Sequence, residues 1–132
     1  MRKALLAVLV VALLGSLGMA KTVEEYVLTQ IGYADQASTI FQSVDIGDKT
    51  SAQGGGEKLL SLAQQAQDDF IQAALQCNSE RDAQLLLYIA YSAIYLLLDG
   101  QGMQAQDGEM LQAGGIVTLA STKYIENLLK PE

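Results

Sequence analysis

The sequence predicts an all-α fold: an antiparallel, up-down-up-down four-helix bundle made of two helical hairpins, following an N-terminal signal peptide. Three observations predict it. Apolar residues recur at spacings of three, four and seven through four separate stretches. Capping signals of the Ser/Thr-x-x-acid kind stand at the start of two of those stretches. Segments rich in glycine and glutamine separate the members of each hairpin.

The chain opens with Arg2 and Lys3, continues with an apolar run from Ala4 to Leu14, and then supplies small residues from Gly15 to Ala20. That order is the pattern of a secretion signal cut after Ala20, which would leave Lys21 first. The competing reading is an uncleaved anchor over Ala4 to Ala20, a stretch at the lower edge of what spans a bilayer. No cysteine follows the apolar run, so a lipoprotein anchor is excluded. The expected organisation is therefore a signal peptide over 1–20 and a single helical domain over 21–132, exported to the periplasm or the extracellular space.

Thr22-Val23-Glu24-Glu25 has the form of a capping box and places the first helix at 23–45. Val23, Val27, Ile31, Ala34, Phe41 and Val44 form its apolar stripe. Ile46 to Gly56 holds four glycines among polar residues and reads as a flexible connection. The second helix is expected at 57–76. Its stripe runs through Leu59, Leu62, Ala63, Ala66, Phe70, Ala73, Ala74 and Cys77, with Gln64, Gln65, Gln67, Asp68, Asp69 and Gln72 on the wet side.

Ser79-Glu80-Arg81-Asp82 repeats the capping logic and opens a third helix at 80–99. Sixteen residues from Ala83 to Leu98 carry no charge, and their apolar side chains run all the way round the helix. Something beyond an ordinary bundle neighbour must cover it: a second copy, a different partner, or the other three helices together. Asp99-Gly100 reads as its stop, and Gln101 to Gly108 as a second connection.

The fourth helix is expected at 109–129, with Met110, Ala113, Val117, Ala120, Tyr124 and Leu128 inward and Pro131 after its last turn. Gly114-Gly115 inside it reads as close packing or a kink. Gly56-Glu57-Lys58-Leu59 and Gly108-Glu109-Met110-Leu111 open the second member of each hairpin alike, a loose hint of duplication.

Charge narrows the partners. Removing Arg2 and Lys3 takes the net charge from −7 to −9, so nucleic acid and anionic lipid would repel the domain. Membrane contact is then expected through residues 4–20 alone.

The chemistry is narrowed as well. The chain has no histidine, which removes the commonest general base and zinc or haem ligand. Asp45, Asp48 and Glu57 are out of register for an EF-hand loop, and Gly54 to Lys58 lacks the spacing of a phosphate loop. The adjacent pairs Glu24-Glu25 and Asp68-Asp69 point in different directions on a helix, so neither converges on a substrate. The expectation is a protein that is not an enzyme and takes no metal or cofactor.

Tyr88, Tyr91 and Tyr95 fall at i, i+3 and i+7, lining one side of the third helix, with Leu87, Ile94 and Leu98 beside them. These six are the candidate interface or pocket. Cys77 is either a small buried residue or, in an oxidising compartment, a site for an intermolecular disulfide. The leading functional expectation is helix-mediated association, self-association through the third helix or binding of another protein. The alternative is a carrier or sensor that holds a small apolar ligand between its helices.

Overall fold

The computed structural model of the chain describes residues 21–130, and their regular structure is entirely helical. Among the described residues four helices pack together: α1 (Val23–Ser43), α2 (Lys49–Leu75), α3 (Glu80–Ala105) and α4 (Gly108–Leu129). The secretion signal expected at 1–20 and the stop expected at Pro131 lie outside the described residues.

Two helix starts follow from the capping sequences. Thr22 Oγ1 accepts from the Glu25 amide at 3.2 Å, and Ser79 Oγ accepts from the Asp82 amide at 3.0 Å. Asp107 opens α4 by accepting from the amides of Glu109 and Met110 at 3.1 and 3.2 Å. Each satisfies a donor that the first helical turn would otherwise leave unpaired.

The segment from Ile46 to Gly56 is not a flexible connection. Asp48 caps α2 through the Ser51 amide at 3.2 Å, so the helix starts at Lys49 and carries Gly54, Gly55 and Gly56 inside it. The physical reason is close approach. A Cβ at Gly55 would meet Val44 and, at 2.7 Å, Met103 Sδ; one at Gly56 would lie 2.8 Å from the Gly100 carbonyl oxygen. The helix-propensity cost of roughly 1 kcal/mol per glycine is offset by contacts that no side chain would permit. The hint of a duplicated hairpin fails with it, since Gly56 lies inside α2 whereas Gly108 is the first residue of α4.

Asp99-Gly100 does not stop α3 either. The helix runs on to Ala105 and is ended by Gln106 in the left-handed region at φ 52°, where the Asp107 amide donates back to the Gly102 carbonyl at 2.8 Å. Gly100 instead admits α2, because a Cβ there would sit 2.7 Å from Leu60 Cγ. Only Gln106 and Asp107 are left between α3 and α4, and Gln106 Nε2 ties this turn to the Ile46 carbonyl oxygen at 2.9 Å.

Successive helices fold back on one another. Along α1 and α2, Gln30 Nε2 and Tyr33 Oη donate to Asp69 Oδ2 at 2.9 and 3.0 Å, while Val44 lies over Gly55. Asp69 thus belongs to a partly buried network rather than to the wet side of α2. On α1 Gln30 is fully buried, whereas Ile31, expected inward, is exposed. Along α3 and α4, Gly102 lies against Leu111, and Arg81 Nη1 donates to the Leu128 carbonyl at 3.0 Å.

The helix with the charge-free run is the centre of the fold. α3 packs on α1, α2 and α4; α1 also packs on α2, and among the described residues α1 and α4 do not meet. One core cluster gathers Ala52, Leu59, Leu62, Ala66, Leu96 and Met103 near the α1–α2 turn. A second gathers Val23, Val27, Ala73, Leu85, Ile89 and Ile125 at the opposite end. By length and composition α3 could cross a membrane, yet half of its most apolar window is buried inside this fold.

Candidate functional site

Polar residues on α3 decide where a site can form. Tyr88, Ser92, Tyr95 and Asp99 follow one another at spacings of four, three and four, so they share one face of a helix. All four are buried. That face looks toward the seam between α1 and α4, and because those two helices do not meet, the seam opens into a groove of about 400 Å³.

Tyr95 and Asp99 form the groove's floor. Ala34, Ala37 and Phe41 supply an apolar wall from α1, with Ser38 at the rim; Gly115 and Leu119 face them from α4, with the hydroxyls of Thr118 and Thr122 between. Small residues keep the seam open. A Cβ at Gly115 would meet nothing within 4 Å, whereas one at Gly114 would collide with the Asp99 carboxylate. The glycine pair therefore serves close packing, as expected, at Gly114 alone, while Gly115 is free space along the wall.

The electrostatics of the floor are set by burial. Asp99 is 5% exposed, and removal from water alone pushes its carboxyl up to about 6, with no hydrogen bond or nearby charge contributing. Tyr95 is 2% exposed and burial pushes its phenol up to about 12. Ser92 Oγ is near enough to temper that shift but not in hydrogen-bond geometry, and both hydroxyls lie buried without a partner. Asp99 is, among the described residues, the only charged one lining the groove. Among the described residues no three acidic, histidine or cysteine side chains gather where they could hold a metal ion.

The six residues expected to act together are divided. Tyr88 and Tyr95 turn inward, with Tyr88 raised by burial and by the charge of Asp35. Tyr91 packs edge-on against Tyr124 of α4, ring centroids 5.7 Å apart, and Tyr124 Oη donates to the Gln84 carbonyl. Leu87 and Ile94 point away from the other helices and are 51% and 47% exposed; Leu98 is half-buried beside them. Cys77 sits half-buried at the turn between α2 and α3 with its Sγ 3.8 Å from the Ser79 carbonyl oxygen.

Sequence reasoning missed Asp99, because an Asp-Gly pair after an apolar run is also the signature of a helix end. The signal that would have found it is the heptad-like spacing of Tyr88, Ser92, Tyr95 and Asp99. On a helix apolar all round, polar residues in one line mark the side where water or a ligand meets the fold. Comparison with protein-family models, with curated proteins and with solved structures finds no match to this chain.

Proposed function

We propose that this chain is a non-enzymatic, exported antiparallel four-helix bundle that holds a small, largely apolar molecule in the groove between α1 and α4. One observation carries the reading: Tyr95 and Asp99, each more than nine-tenths buried, form the floor of a seam that the helices leave open, and the Tyr95 hydroxyl there has no hydrogen-bond partner. Leaving a buried hydroxyl unpaired costs on the order of 1–3 kcal/mol. A fold retains such groups where something else satisfies them. Apolar walls with a few convergent polar groups and a volume of about 400 Å³ are the usual dimensions of a small-molecule site.

Binding rather than catalysis is supported by the absence of histidine from the sequence and by a floor with one carboxylate instead of a pair. Export is supported by the order of charges, apolar run and small residues over 1–20. The test is titration with N-phenyl-1-naphthylamine, a neutral dye that fluoresces in apolar surroundings. Saturable binding at one site per chain, lost in Gly115→Leu, is expected, because a leucine side chain there fills the groove. Binding that never saturates, or that Gly115→Leu leaves intact, would remove the groove from consideration.

A second reading rests on the outer face of α3. Leu87 and Ile94 are half exposed in a run of sixteen residues with no charge. A second copy presenting the same stripe would cover both without opposing like charges, which matters for a chain of net charge −7.

A further inference from the structure

We infer that the ligand of the α1–α4 groove carries a primary ammonium group on a short hydrocarbon or aryl body, with the ammonium seated at Asp99 and the body lying between Phe41 and Leu119. The inference rests on the groove being a binding site and adds what kind of molecule it takes.

The polar atoms of the groove are biased toward accepting. Thr118 Oγ1 donates its proton to the Gly114 carbonyl at 2.9 Å, and Thr122 Oγ1 donates to the Thr118 carbonyl at 2.9 Å. Each hydroxyl has a single proton, so toward the groove both present lone pairs. The Asp99 carboxylate accepts and does not donate when ionised, and the Tyr95 hydroxyl, buried without a partner, can accept as well as donate. An ammonium brings three N–H donors and a positive charge, matching an unpaired carboxylate and its neighbouring oxygens.

Other occupants match less well. A carboxylate or phosphate would meet Asp99 as a like charge, with no cation among the described lining residues to relieve it. A hard metal ion requires several oxygen ligands, commonly more than one carboxylate, and Asp99 stands alone. A neutral alcohol would bury its body equally well but leave the carboxylate uncompensated. The acidic balance of the whole chain also favours approach of a cation.

The test compares hexylammonium, hexanol and hexanoate, which share one hydrocarbon body, by displacement of N-phenyl-1-naphthylamine from the full-length chain at pH 8, where Asp99 is ionised. Hexylammonium is expected to bind roughly tenfold or more tighter than hexanol, as a charge-assisted hydrogen bond predicts, and hexanoate weakest. Asp99→Asn should reduce hexylammonium to the level of hexanol, and Gly115→Leu should abolish binding of all three. Hexanol binding as tightly as hexylammonium, or a preference that survives in folded Asp99→Asn, overturns the ammonium assignment and leaves the groove as a site for neutral molecules. Failure of the dye and all three probes to bind overturns the groove itself. If Asp99→Asn does not fold by circular dichroism, the ratio of hexylammonium to hexanol in the unmodified chain, together with Gly115→Leu, still decides.

Discussion

Gly114 of α4 lies directly against the carboxylate of Asp99 of α3, so closely that a Cβ at position 114 would overlap Asp99 Oδ1. The contact brings the α4 backbone down onto a buried acid and leaves the next residue, Gly115, facing open space. Close packing and an open groove are thus consecutive positions on one helix, and each can be tested.

Gly114→Ala should destabilise the chain by about 1–3 kcal/mol, the usual cost of forcing an extra carbon into a packed contact. With Asp99→Ala already in place, the same substitution should stabilise by up to about 1 kcal/mol, the helix-propensity gain of alanine over glycine. A double-mutant cycle by urea unfolding reads the change of sign. Equal effects in both backgrounds would mean that the two residues do not touch.

Asp99 also makes stability depend on pH in a stated direction. Its carboxyl titrates at about 6 in the fold, against 3.8 for an ordinary aspartate, so the folded state holds the proton more tightly than the unfolded state. Its contribution is fully favourable below about pH 4 and is lost as the pH rises through about 6. At 1.36 kcal/mol per pKa unit the loss is on the order of 2–3 kcal/mol. Asp99→Asn should therefore match the unmodified chain at pH 3.5 and exceed it at pH 8 in thermal unfolding. A variant with the same downward slope would place the titrating group elsewhere.

The glycine run in α2 separates packing from propensity. Gly56→Ala sets a carbon against the Gly100 carbonyl and the Gln104 amide, backbone atoms that cannot rotate away, and should cost about 1–3 kcal/mol. Gly54→Ala meets nothing within 4 Å and should stabilise by about 1 kcal/mol. Melting temperatures moving in opposite directions are expected; a stabilised Gly56→Ala would mean that α2 and α3 are not this close.

The outer stripe of α3 is tested by its solubility in itself. Light scattering after size-exclusion chromatography, across a tenfold range of concentration, should detect a dimer that Ile94→Lys converts to monomer, since Ile94 is exposed and the substitution leaves the core intact. Repeating the measurement with reductant separates this association from a disulfide through Cys77, which is half-buried and unpaired among the described residues. A monomer at every concentration would retire the self-association reading.

Helix identity and most helix starts were readable from the chain because their causes are local. Thr22 and Ser79 cap through atoms three residues away, and the apolar period of each helix is carried by its own side chains. Tyr88 and Tyr95 were recognisable as one side of α3 for the same reason. Which neighbour that side would face is a relation between helices, and nothing within α3 encodes it.

The sequence by itself determined four amphipathic segments, a central one too apolar to stand free, and an acidic surface. Tertiary structure alone decided the roles of the glycines and of Asp99. A glycine lowers helix propensity equally in a loop and at a helix crossing, so Gly54 to Gly56 and Gly100 are ambiguous until α2 and α3 come within contact. Asp99 likewise resembles a helix stop until α4 presents Gly114 to it and α1 remains apart, and burial between them turns a terminal signal into the floor of a groove.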